Sequence, residues 1–371
     1  MKPSFNSVPF LIVLLLIFLV ISCADEQFYT YPPHQPQYQG ITLLSKDSND
    51  FIIAIADGRI ASLKLKIRSN SVVLSFYIYQ ENEFSETVET NSTGVNPLTN
   101  ETVFRTSSDN DIIDAVKNAK QLGMNIVLNP ILRNYNGKST RYIPFSDNWF
   151  ISYSSMIMKY ATISGDYGVN VFCIGNELTS AVKEETLEHW TQLLQSVRSV
   201  YSNKVVYTAS WMGIENFRNA EPELFWCPLF KHTDFVAFQA FPILTSNGQT
   251  HGTFWGSETN TLNSVRTYLE EFYRTTGKKF LIMQTGLQSQ LGAELEPSIE
   301  RDVQTSKRIP HEGIQELYYT YVIESLGKHP LCDGIFFWYW DAKIQEKDKL
   351  EGSFSPESKL ASKVLLNWFS S

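Results

Sequence analysis

From Gln39 to the carboxyl terminus the chain alternates short apolar runs with amphipathic helical patterns, and that alternation restricts the fold more than any other feature. Strands are expected at Ile41–Leu44, Val72–Tyr77, Asn125–Leu132, Val171–Ile174, Val205–Ala209, Phe235–Phe241, Phe280–Met283 and Gly334–Trp338. The helices between them follow a period of 3.6 residues. One sets Ile112, Val116 and Ala119 on a single face, begins behind Ser108 and stops at Gly123. Others align Leu187, Trp190, Leu194 and Val197, then Leu262, Val265, Leu269 and Phe272, and finally Leu360, Val364 and Trp368. Strands alternating with crossover helices form parallel α/β architectures. With no domain-sized break between residues 39 and 371, a single (β/α)8 TIM barrel is the expectation. A doubly wound open sheet is the alternative, since periodicity does not distinguish closed from open sheets. That fold usually brings a Gly-rich phosphate loop, and neither G-x-G-x-x-G nor a P-loop occurs here.

The chain's first segment is of another kind. Lys2 precedes the apolar run "LIVLLLIFLVI" (11–21), and "SCA" (22–24) supplies small residues for cleavage. So short a run with these flanks is expected to be a secretory signal peptide, residues 1–24. An uncleaved anchor, or acylation at Cys23, is the alternative. Residues 25–38, "DEQFYTYPPHQPQY", read as a Pro/Gln-rich extended leader. Secretion makes the sequons at Asn91 and Asn100 candidate glycosylation sites. Cleavage leaves Cys173, Cys227 and Cys332, at most one bridge, so the chain is no disulfide scaffold.

Several chemistries are poorly supported. A net charge of -8 without a basic stripe argues against nucleic acid, which is bound largely by neutralising phosphates. The six histidines form no H-x-x-x-H pair, the mature cysteines no C-x-x-C, and no G-x-S-x-G elbow is present. No metal or cofactor is expected.

In a (β/α)8 barrel, chemistry collects where strands end at the carboxyl face. Those ends carry Arg133 and Asn134, then Asn176-Glu177, Ser210-Trp211, "AFP" (240–242), Gln284 and "WYWD" (338–341). A carboxylate flanked by amides, Arg and Trp suits carbohydrate, because rings stack on sugar C–H faces while polar groups bind hydroxyls. Trp211, Trp338 and Trp340 serve equally well as rim packing. A Glu closing an apolar strand is harder to assign to packing, since carboxylates are rarely buried unpaired.

"GNEL" and "FWYWD", together with "AKQLGMNIVLNP" (119–130), "DNWFISY" (147–153), "VFCIGNELT" (171–179), "YTASW" (207–211) and "FVAFQAFPIL" (235–244), resemble the clan A glycoside hydrolases, and most of all family 113, the β-mannanase-like barrels. The resemblance runs over about residues 39 to 369. It implies that Glu177 is the general acid/base, that Asn176 binds a sugar hydroxyl, and that the partner is a β-linked, mannan-like glycan. Arg133, Trp211, Phe241, Trp338, Trp340 and Asp341 complete the expected substrate-binding set. It also implies a nucleophile ending the seventh strand, where relatives read Thr-Glu-Ile-Gly. Here that segment is Met283-Gln284-Thr285-Gly286, and Phe241 replaces a tyrosine that usually bonds the nucleophile.

A retaining glycosidase works with two carboxyl groups ~5–5.5 Å apart. A glutamine has the shape of a glutamate without the charge, and losing a nucleophile costs on the order of 5 kcal/mol of transition-state stabilisation. Three readings follow. Another carboxylate (Asp341, Glu294 or Glu296) substitutes in an altered mechanism; the barrel binds glycan without turnover; or the protein is a secreted structural or partner-binding module.

Overall fold

The computed structural model describes residues 34–91, 93–97, 99–101, 105–212, 222–244, 262–301, 308–345 and 351–371. The expected signal peptide and most of the leader lie outside them. Eight strands hydrogen-bond in chain order: β1 (Tyr38–Leu44), β2 (Ser71–Gln80), β3 (Asn125–Asn134), β4 (Val171–Asn176), β5 (Lys204–Met212), β6 (Val236–Phe241), β7 (Phe280–Thr285) and β8 (Cys332–Asp341). All pairings are parallel, and β8 returns to β1, so the sheet is a closed barrel rather than an open one. Closure leaves no strand edge unpaired.

Helices wrap the outside at Asp109–Gln121, Asp147–Tyr167, Leu187–Val200, Leu262–Thr276, Glu312–Val322 and Leu360–Phe369, with two short ones, Asp50–Ala56 and Arg59–Lys66, after β1. The first long helix starts where the sequence places it. Ser108 Oγ accepts the Asp111 amide at 3.2 Å, Asp109 and Asp111 face the positive end of the helix dipole, and Ile112, Val116 and Ala119 are buried. Beyond its end, Gly123 takes the left-handed conformation at φ 67°. Residues 34–37 of the expected leader lie at the opposite end of the barrel from the strands' carboxyl ends. His34 Nε2 donates to Cys332 O at 2.8 Å, and Tyr38, expected as leader, is the first residue of β1. Among the described residues, Cys173, Cys227 and Cys332 are free and buried.

Along each strand the pleat sends alternate side chains inward and outward. Val73, Val127, Val171, Cys173, Val206, Ala237, Leu281, Met283 and Phe336 fill the interior. Their neighbours Val72, Ile126, Phe172, Val205, Phe238, Ile282 and Phe337 meet the helices. Above the apolar interior a polar ladder climbs: Asn129 Nδ2 donates to Ser75 Oγ at 3.1 Å, and Asn176 Nδ2 donates to Asn129 Oδ1 at 2.8 Å.

The alternation breaks on three strands at the same height. Cys173 pairs with Val206 but Asn176 with Thr208, so β4 carries an extra residue. Phe238 pairs with Ile282 but Gln239 with Gln284, so β7 carries one as well. Ile41 pairs with Phe337 but Leu43 with Trp340, which sets Trp338 and Tyr339 opposite Thr42 alone. Such bulges re-aim the residues that follow them. Strict alternation from Cys173, Met283 and Phe336 would point Asn176 and Gln284 outward and Trp340 inward; the bulges reverse all three.

Gly286 maintains this geometry, since a Cβ there would come within 2.7 Å of Trp338 O on the bulged strand. Gly286→Ala is expected to lower unfolding stability by about 1–3 kcal/mol, the usual cost of overpacking, as read by urea denaturation. A stability equal to wild type would show that the two strands do not need this approach.

Candidate active site

At the carboxyl ends of the strands lies a cavity of about 440 Å³. It brings together Glu177, Gln284, Asn176, Arg133, Phe241 and Trp338. That volume is within the usual range for ligand pockets. Sequence reasoning did not find Tyr77, Arg141, Gln239 or Glu300, which line it too. The alternation of "VAFQAF" held the signal for Gln239: with Ala237 inside, Gln239 and Phe241 follow inward.

Glu177 stands one residue past β4 with φ 51°, in the left-handed region that non-glycine residues seldom occupy. Such a backbone costs of order 1–3 kcal/mol and persists where its surroundings impose it. Its amide donates to Thr208 O at 2.9 Å, and its carboxylate pairs with the Arg141 guanidinium. Both side chains are mostly buried, 20% and 13% exposed. A guanidinium only donates, so a proton on this carboxyl is confined to the oxygen that Arg141 leaves free.

The amide of Asn176 is oriented by its donations to Asn129 Oδ1 and to Pro130 O at 3.2 Å. Gln239 and Gln284 are register partners across β6 and β7. Both are more than nine-tenths buried, and neither side chain hydrogen-bonds to a described residue. Two adjacent carboxamides therefore offer donors and acceptors to the cavity. Trp338, partly exposed, meets Tyr339 edge-on at 5.3 Å, and Arg133 lies 4.7 Å over the Tyr77 ring. Phe241 contributes a ring without a hydroxyl.

Three expected residues lie elsewhere. Trp211 points outward, against Phe238 at 6.5 Å, because its inward-facing neighbour on β5 is Ser210 and not itself. Trp340 also packs under the helices, with Arg59 at 5.3 Å from its ring, because the β8 bulge turned it out. Asp341 lines a second cavity of about 530 Å³ beside Lys46, Asp50 and Arg105, which shares no lining residue with the mouth. Burial pushes its carboxyl up to about 6. The other substitutes proposed for a missing carboxylate are absent from the mouth as well. Glu294 is buried outside it, and Glu296 is held by Arg301 and by Arg308 at 2.8 Å. The acidic group that does face the mouth with Glu177 is Glu300, which accepts from Tyr339 Oη at 2.9 Å and lies 3.6 Å from Lys46 Nζ.

The sequons differ in access. Asn91 is buried, its Nδ2 donating to Val95 O at 3.3 Å and its Oδ1 accepting from the Thr93 and Gly94 amides. Asn100 is exposed.

Behind Glu177 a second carboxyl is fully enclosed. Glu223 accepts from Tyr207 Oη at 2.6 Å and from the Ser210 amide and Thr179 Oγ1 at 3.1 Å each. Tyr207 Oη in turn accepts the Leu178 amide at 2.7 Å. Among the described residues, no group of three His, Cys, Asp or Glu side chains is placed to hold a metal ion.

A closed parallel barrel whose carboxyl-face mouth holds a carboxylate, amides, an arginine and a tryptophan defines a glycoside hydrolase-like barrel. The model of Glycoside Hydrolase Family 113 matches residues 46–355, and the chain belongs to that family. Solved structures agree in fold. A family 113 β-1,4-mannanase superposes with TM-score 0.73 at 18% identity, covering 91% of this chain and 99% of that one. The β-mannanase from Alicyclobacillus acidocaldarius, solved in complex with ManMIm, gives 0.71 at 19% identity, covering 90% and 97%. A fungal β-1,4-galactanase gives 0.53 at 14%, covering 91% and 100%. No curated protein sequence matches the chain.

Burial raises the Glu223 carboxyl from 4.5 to about 7, against the opposing hydrogen bonds from Tyr207 and Ser210. The folded state thus holds this proton more tightly than the unfolded chain. Its stabilising contribution is whole below 4.5 and is lost as the pH rises through about 7. In thermal melts, wild type is expected to lose stability relative to Glu223→Gln between pH 5 and pH 8. A difference independent of pH would exclude a titrating carboxyl at this position.

Proposed function

We propose that this protein binds β-linked, mannan-like glycans in the barrel mouth, in the secretory lumen or outside the cell, without hydrolysing them by double displacement. The observation that carries the reading is the pair of carboxamides, Gln239 and Gln284, which are in register, buried and unbonded to described residues beside Trp338. Their carboxamides are presented to the cavity, where sugar hydroxyls can supply both donors and acceptors. The signal-like first segment and the exposed sequon at Asn100 support the location.

The same glutamine removes the covalent route. In the retaining mechanism one carboxylate attacks the anomeric carbon while the other protonates the leaving oxygen. Glu177 keeps the position of the acid/base. The nucleophile's position carries Gln284, whose amide oxygen is a poor nucleophile and leaves the oxocarbenium-like transition state without a facing negative charge. With both ligand-facing amides intact, affinity outlasts turnover.

One observation favours a hydrolytic reading. Glu300 shares the cavity with Glu177, and a carboxylate set further from the acid can activate water and invert the anomer.

Titration calorimetry with β-1,4-mannopentaose tests the proposal. Wild type is expected to bind, and Trp338→Ala to bind at least about tenfold more weakly, a loss of ~1.4 kcal/mol, with an unchanged melting temperature. Equal affinity in that variant would remove the mouth as the binding site. Incubation with the same glycan is expected to yield no product in wild type and a retained-anomer product in Gln284→Glu. An inverted product from wild type that disappears in Glu300→Gln would replace the binding reading with the hydrolytic one.

A further inference from the structure

Glu223 has no place in the mouth, yet it is 1% exposed and its carboxyl is fully engaged. Burying a carboxyl is expensive, and a neutral apolar residue of the same size would serve packing better. Its bonds explain its presence. Of the three groups that donate to it, two lead to the turn that follows β4. Thr179 bonds it directly, and Leu178 does so through Tyr207, whose hydroxyl accepts from the Leu178 amide and donates a hydrogen bond to Glu223. These two residues directly follow Glu177, whose φ of 51° something must enforce. The third donor, the Ser210 amide, ties the cluster to β5.

We infer that Glu223 is a positioning residue for Glu177: through Tyr207 and Thr179 it clamps the turn in its left-handed conformation and so sets the aim of the Glu177 carboxylate at a ligand in the mouth. The clamp works on geometry that a glutamine cannot copy. A carboxylate accepts from all three donors, whereas a carboxamide has an acceptor on one side and a donor on the other. Turned toward Ser210, its amino group meets an N–H that only donates. Turned toward Tyr207, it forces that hydroxyl to redirect its proton. The ionisable groups around Glu223 are Tyr207 on β5, Glu177 on the turn and Cys227 on its own segment, and burial drives the Tyr207 and Cys227 protons well beyond neutral pH.

The part of this inference that concerns ligand aim rests on the proposed glycan binding; the part that concerns the turn does not, and two measurements separate them. Amide hydrogen exchange of the full mature chain at pH 8, where Glu223 is ionised, reads the clamp without any ligand. In Glu223→Gln and in Thr179→Val, exchange at Glu177 and Leu178 is expected to quicken at least about tenfold while the amides of β3 keep wild-type rates, the pattern of a local opening. Unchanged exchange at those two amides in both variants overturns the inference. The second measurement is a double-mutant cycle on mannopentaose affinity. Glu223→Gln is expected to weaken binding in wild type and to add nothing in a Glu177→Ala background. An equal further loss in that background means that Glu223 acts on the fold at large and overturns the positioning role. If wild type has no affinity for mannopentaose, the glycan reading fails, and the exchange rates alone decide on the clamp.

Discussion

A closed parallel barrel gives each strand residue two directions, into the barrel or out against the helices, and the pleat assigns them by turns. Part of the mouth, Gln239 and Phe241 among it, follows that rule, and the rest depends on where it is broken. Bulges on β4, β7 and β8 each insert one residue against a partner strand, and each does so at the level where the apolar interior gives way to the cavity. Without them Asn176 and Gln284 would face the helices, and Trp340 would point into the barrel on the same face as Trp338. The extra residue also leaves backbone groups out of the ladder. Enclosure by a complete ring of neighbours is what makes that loss tolerable.

The electrostatics of the mouth are consistent with an uncharged residue at position 284. Glu177 already has its counter-charge in Arg141, and Glu300 has Lys46 and Tyr339. A glutamine in the same cavity adds no repulsion and no unpaired charge, while its carboxamide still offers a donor and an acceptor. Binding a polyol needs no more than that, because hydroxyls are satisfied by neutral partners. Opening a glycosidic bond needs negative charge facing the anomeric carbon as positive charge develops there. The two tasks thus make different demands on the charge at that position.

Much of this was legible beforehand. The eight strands could be located because parallel strands buried on both faces read as continuous apolar runs, and the helix beginning behind Ser108 could be placed because its cap and period agree. Glu177 stood out because a carboxylate that ends such a run needs a reason. What misled was the period of two. Taken at face value, "WYWD" puts Trp338 and Trp340 on one face, whereas the register with β1 shows the extra residue that separates them. Trp211 was misread because its chemistry suits a sugar platform while its parity on β5 sends it outward. Arg141, Glu300 and Glu223 left no comparable trace, since each comes from a connection between strand and helix, Arg141 and Glu223 on single 3-10 turns, whose path no periodicity encodes.

The linear chain by itself determined the element order, the family and the presence of a glutamine at position 284, because these depend on residue type and local spacing, which tertiary contacts do not alter. Tertiary structure alone decided which groups share the mouth, which carboxylate is paired with which cation, and how the turn bearing Glu177 is held from behind. Those are matters of register and loop path between segments far apart in the chain, where one residue of slip moves a side chain from one side of the sheet to the other.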